Sequence, residues 1–329
     1  RVIKQIIELF KDPKEKLGMP LIRQNLKLLS QTTKVRIVAI LNVLERAGIS
    51  RIAVKSCPEI LYSNETKIIE NHISELKSRN IGKDEIAKIP EILAKDTIGK
   101  ELEIADFINK NENVFYGVLE KFPKVILEGD LDNLKEYVKF IEKEVLPHDI
   151  IDIAPEILVK NTPNNVEKIL DNLKEIGEEN YYKEFPTILN IQNPDNIIQI
   201  AKVFEDLELP KSIYQTSVSI FIEGDAQNIK DIVTELDSKQ IERDILQNSF
   251  ILARGNPENI TKIIDKFENA DNVNLGKDLL RRSGTILAQG DASKIDDITK
   301  ILEDYGFIEE GANIPASIYA KGNPVQMKE

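Results

Sequence analysis

Residues 154–177 read APEILVKNTPNNVEKILDNLKEIG, and the fold follows from how this stretch is parsed. Pro155 and Glu156 precede an apolar triplet, Ile157-Leu158-Val159, and a polar turn follows. Thr162 then offers a side-chain oxygen to the free N–H groups of a new helix turn. Pro163 sits where a helix has no use for its missing N–H. Val166, Ile169, Leu170 and Leu173 recur at the spacing of one helix face. Gly177 supplies the left-handed residue that closes a helix. The stretch therefore predicts a short helix, a capped turn and a longer amphipathic helix.

Moving outward, the same frame returns along the chain. Its anchors are Pro58, Pro90, Pro123, Pro155 and Pro186, and it continues without proline at Val218, Ser249, Gly284 and Ala316. The intervals are 32, 33, 32, 31, 32, 31, 35 and 32 residues, with a degenerate copy anchored at Asn25. Seven residues past the anchor stands a capping residue, such as Asp130, Asn193, Asp225, Asn256 or Asp291. Three residues further on, Asn133, Asn165, Asn196, Asn228 and Asn259 recur. Glycine precedes the cap at 129, 224, 255, 290 and 322, which lets the chain leave the first helix tightly. Each unit ends in a brief segment, for example Lys83–Ile89 or His148–Ala154, too short for more than a single 3₁₀ or α turn.

A unit this small cannot bury its apolar stripe alone, so stability must come from neighbouring units. The expected fold is an all-α superhelical solenoid of roughly 32-residue repeats, each helix–turn–helix plus a short 3₁₀ segment. Residues 1–329 are expected to form one elongated domain of about ten units. The first unit is degenerate and basic, and the last is incomplete: Gly322-Asn-Pro-Val-Gln opens a cap shortly before Glu329.

Composition narrows the function. The 329 residues include one Cys and two His, too few for a disulfide framework or a structural zinc cluster. No apolar run nears the ~20 residues that cross a bilayer. Phosphate-cradling, dinucleotide-binding, zinc-protease and nucleophile-elbow motifs are missing, and Asp296/Asp297 and Glu309/Glu310 are neighbours that form no carboxylate dyad. The expectation is a non-catalytic binding protein with no cofactor, no membrane role and no evident small-molecule substrate. Its expected location is intracellular, cytoplasmic or organellar, with no targeting segment visible after Arg1.

The repeat resembles that of the mitochondrial transcription termination factor (mTERF) family. The resemblance rests on Cys57-Pro-Glu-Ile-Leu-Tyr-Ser-Asn-Glu through Glu75-Leu-Lys-Ser-Arg-Asn-Ile-Gly, on Ala154-Pro-Glu-Ile-Leu through Leu173-Lys-Glu-Ile-Gly, and on Leu44-Glu-Arg-Ala-Gly-Ile. It covers roughly residues 20–310 and is strongest over 40–200; the anchor proline is lost after Pro186. TAL-effector-like repeats are a more distant likeness. The mTERF resemblance implies a curved superhelix whose concave groove binds nucleic acid without catalysis.

Charge pulls the other way. The chain carries a formal −12, but residues 1–55 hold 12 Lys/Arg against 4 Asp/Glu, leaving 32 against 52 for the rest. Phosphate binding draws on clustered cations, and only the N-terminal section supplies them. Arg23, Lys27, Lys34, Arg36, Arg46, Arg51 and Lys55 are therefore the candidate nucleic-acid-binding residues, predicting salt-sensitive binding. A solvated face of the first helices is the plainer reading of the same cluster. The close alternative function is a protein–protein interaction scaffold that holds a basic partner in its groove, favoured by the acidic body.

The recurrent asparagines could pair with adenine edges, yet at the third helix position they suit bonds to a cap or a neighbouring repeat. Phe107, Phe115, Phe122, Phe140, Phe185, Phe204, Phe250 and Phe267 read as core residues rather than base-stacking platforms. Cys57 reads as a small buried apolar group, and His72 and His148 as surface residues.

Overall fold

The computed structural model describes residues 2–12, 17–268, 284–307 and 315–327. Every regular element among them is helical. The longer helices are α1 (Val2–Lys11), α2 (Lys34–Ala47), α3 (Thr66–Lys77), α4 (Gly99–Lys110), α5 (Leu131–Glu142), α6 (Pro163–Glu175), α7 (Asp195–Asp206), α8 (Ala226–Ser238), α9 (Pro257–Glu268) and α10 (Ala292–Asp304). From α2 onward, short helical segments of four to six residues stand between them. The chain divides into two compact units, residues 1–164 and 165–329. No helix among the described residues is long and apolar enough to cross a membrane.

Several caps form as the residue types require, but α7 starts behind Pro194 with no side-chain cap bond, so Asn193 does not cap it. The side chain of Asp130 accepts from the N–H groups of Asp132 and Asn133, that of Asp225 from Asn228 and that of Asn256 from Asn259. Thr33 does the same for Arg36 at the start of α2. A cap of this kind contributes about 1 kcal/mol. Burial outweighs it: α8 places Ile229, Ile232, Val233 and Leu236 fully inside, at about 1.5–3 kcal/mol each relative to exposure.

At the far ends, Gly48, Gly177 and Gly306 take φ of 76°, 81° and 73°. Asn80, Glu144, Glu208 and Gln240 close the corresponding turns with φ between 53° and 62°, despite carrying a Cβ. The glycines that precede the caps behave differently. Gly224 and Gly255 have φ of −74° and −61°, so it is space and not handedness that selects glycine. A Cβ at either would stand 2.2–2.3 Å from the carbonyl oxygen four residues back, which accepts that same glycine's N–H.

Two further expectations change. The 3₁₀ geometry lies mainly in the first segment of the repeat, at Pro58–Leu61, Pro90–Ala94 and Pro186–Asn190. The closing segments are mostly short α turns such as Lys83–Lys88 and Ile150–Ile153, with 3₁₀ at Arg243–Gln247. Elements this short close only one or two bonds, so the two geometries differ little in energy. His72 is buried, not on the surface, whereas His148 is exposed.

Packing in each unit links like elements. In residues 1–164, α2 lies on α3 and α4 on α5, while Pro58–Leu61 meets Pro90–Ala94 and Val125–Glu128 meets Ile157–Lys160. In residues 165–329, α7, α8, α9 and α10 pack in succession. There the short helices Ser219–Glu223, Phe250–Arg254, Thr285–Gln289 and Ala316–Lys321 form a parallel series of contacts. Phe115, Phe204 and Phe267 enter these cores. Phe250 does not: it is exposed, with the Arg254 guanidinium 5.0 Å from its ring centre.

Candidate nucleic-acid interface

The recurrent asparagines are bonded to the protein itself. Asn196 Nδ2 donates to the carbonyls of Phe221 (3.1 Å) and Gly224 (2.9 Å), at the end of the next short helix. Asn133 does the same to Leu158 and Asn161, Asn165 to Ile191, Asn228 to Gly255 and Asn259 to Gly290. Carbonyls at a helix C-terminus have no intrahelical partner, so each amide satisfies what the next short helix leaves open. The Asn259 Oδ1 also accepts from the Ala292 N–H at 3.2 Å. These side chains are half-buried and committed between elements, which removes them as base readers.

Arg36 belongs to the same series. It sits three residues past the Thr33 cap, and its Nη2 donates to the Tyr62 (3.0 Å) and Asn64 (2.8 Å) carbonyls. Asn64 in turn donates to the carbonyls of Leu93 and Lys95. A charged arginine thus fills a rung that an amide fills elsewhere. The spacing from the cap was a signal for this in the sequence, obscured by the change of residue type.

The remaining six candidate cations differ in their surroundings. Arg46 pairs with Glu70 at 2.7 Å, and Arg51 lies 3.8 Å from Glu45. Arg23, Lys27, Lys34 and Lys55 are exposed, with no ion-pair partner among the described residues. Tyr62 is held by neighbours of two of them in the sequence. Asn25, two residues before Lys27, donates to Glu59 Oε1 (3.2 Å) and Tyr62 Oη (3.4 Å), and Arg36, two residues after Lys34, holds the Tyr62 carbonyl. Lys55 lines a recess beside the helix Met19–Gln24, floored by Phe10, Leu17 and Leu21. Lys11 and Asp12 share that recess, and Lys11 is a cation the sequence did not single out.

Beyond residue 56, a number of cations are paired with acids. Arg79 is bound by Glu75 (2.7 Å) and Asp106 (2.8 Å), Lys121 by Asp152 (2.7 Å), Lys168 by Asp195 (2.8 Å) and Lys239 by Asp265 (2.5 Å). Arg254 pairs with Glu223, and Lys266 with Asp296. The guanidinium hydrogen bond from Arg254 holds the Glu223 carboxyl below its ordinary range. Exposed pairs of this kind stabilise by at most about 1 kcal/mol each, but each leaves a cation less able to meet a phosphate.

The chemistry of the one thiol is quiet. Burial, together with Glu59 and Glu91, pushes Cys57 up to about 12, so it stays protonated at neutral pH and is a weak nucleophile. Burial likewise raises Tyr137, Tyr181 and Tyr214.

Unit 165–329 holds a second feature. A recess of about 610 Å³ opens where α6 ends beside α7, walled by Ile176, Ile198, Ala201 and Leu209. Three carboxylates, Glu175, Glu205 and Asp206, line it with Lys202 and Lys211. At the corresponding places in other repeats, Arg79 grips Asp106 and Lys239 grips Asp265. Here Ile176 and Lys202 occupy those two positions, and the latch is missing. No family model, curated protein or solved structure matches the chain.

Proposed function

We propose that the protein is a non-catalytic helical-repeat module of the solenoid type whose N-terminal section binds nucleic acid, in the manner the mTERF resemblance implies. The observation that carries this reading is the concentration of exposed Arg23, Lys27, Lys34 and Lys55, without ion-pair partners among the described residues, in a section where Lys and Arg outnumber Asp and Glu by 12 to 4. Phosphate contacts by such residues release counterions, and they set orientation without reading sequence. The asparagines take no part in base recognition under this reading.

The test is a titration of duplex DNA and of single-stranded RNA at about 50 mM and about 200 mM salt. Affinity is expected to fall with salt, and Lys34→Ala to lower the logarithmic salt slope by about one. A dissociation constant weaker than ~100 μM at the lower salt for both polymers would sink the proposal, since even non-specific binders reach 10⁻⁴–10⁻⁶ M at physiological salt.

A second reading is a scaffold for a basic protein partner. What supports it is the apolar recess beside α7, where carboxylates outnumber lysines. Nuclease-resistant capture of a basic protein, lost on Ile198→Glu, would favour it over the first.

A further inference from the structure

We propose that His72 makes the joint between α3 and the next repeat acid-sensitive: the neutral ring holds it closed and the protonated ring opens it. In the other repeats, the position seven residues past the cap is filled by an apolar residue, as at Ile40, Ile104, Ile200, Ile232, Ile263 and Ile298, or by Tyr137, all of them buried. Tyr137 shows what a polar group does there: its hydroxyl donates to the Ile157 carbonyl at 3.2 Å, in the following short helix. His72 lies by the backbone of Ile92, the matching residue of the 3₁₀ turn Pro90–Ala94. Its Nδ1 is buried with no hydrogen-bond partner among the described residues.

A proton on Nδ1 would create a buried donor and a buried charge, each costly unless met. The elements around α3 offer little to meet it. The buried side chains of α2 are Ile37, Ile40, Leu41, Val43 and Leu44, and those of the turn Pro90–Ala94 are Pro90, Ile92 and Leu93. On α4 the charged neighbour is Glu101, itself buried and already held by Lys95. Glu101 favours the protonated ring, but burial acts more strongly and lowers the His72 pKa from 6.5. A ring that binds its proton less tightly when folded than when unfolded leaves stability complete above about 6.5. Stability then falls as pH drops further, by up to tenfold in the folded-to-open ratio per pH unit.

The experiment uses the full chain. The ring protons of His72 and His148 are titrated by NMR, and thermal melts from pH 7.5 to 5.5 compare the wild type with His72→Ile, which installs the residue most repeats carry. The expected result is a His72 midpoint below 6.5, and a melting temperature that falls more steeply with acid in the wild type than in the variant. Native-state hydrogen exchange at pH 5.5 should place the opening at α3 and Pro90–Ala94. A His72 midpoint at or above 6.5 overturns the proposal, as do melts that lose stability in parallel. Should His72→Ile not fold, the wild-type midpoints and exchange pattern decide the matter by themselves.

Discussion

At the scale of single residues, an asparagine amide three residues past the cap position links neighbouring elements in five of the repeats. Asn196 satisfies two carbonyls at the end of Ser219–Glu223, and its removal leaves both half-buried and without that donor. Asn196→Ala should therefore cost about 1–3 kcal/mol in urea unfolding. Gln199→Ala, on the exposed face of the same helix, should stay within about 0.5 kcal/mol. Equal effects from the two substitutions would mean that the amide bonds contribute nothing net. The asparagine's place three residues past the cap position was legible in the sequence, and so was its suitability for a local or inter-repeat bond. Which carbonyls it meets was not, because they belong to residues 25–28 positions away and depend on how the next short helix ends.

At the scale of elements, caps and apolar spacing announced the helices, and the structure refines why particular residues stand at their ends. Gly255→Ala would force a Cβ to 2.2 Å from the Ile251 carbonyl oxygen and to 3.0–3.1 Å from Ile260 and Ile232. The expected cost is about 1–3 kcal/mol, as for other overpacked sites. Gly99→Ala, where a Cβ meets nothing within 4 Å, should be neutral or stabilise by up to about 1 kcal/mol. Chemical denaturation of both variants checks the pair, and a harmless Gly255→Ala would show that the short helix shifts without cost. Sequence spacing put Gly177 at the close of a helix and Gly255 before a cap, whereas the atoms that exclude a Cβ at Gly255 became known only once the carbonyl four residues back had a position.

At the scale of the whole molecule, the proposal of stacked, interchangeable repeats has a direct consequence. Deleting residues 219–249 removes one full repeat, joining the anchor Val218 to Phe250, the residue that follows the next anchor, and should leave a shorter chain that melts cooperatively. Deleting residues 219–233 alone strands half a repeat and should abolish cooperative melting by circular dichroism. Equal damage from both deletions would argue against modular repeats.

The sequence by itself determined that the chain is helical and where most of its longer helices lie, since caps and helical periodicity are local properties that act within one or two turns. It also located the basic N-terminal section. Only the tertiary structure decided which cations remain available: Arg36 is spent on carbonyls and Arg46 on Glu70, while Lys27 and Lys34 stand open. Likewise it alone put His72 inside. Charge and burial depend on partners brought together from elsewhere in the chain, so no reading of neighbouring letters could have assigned them.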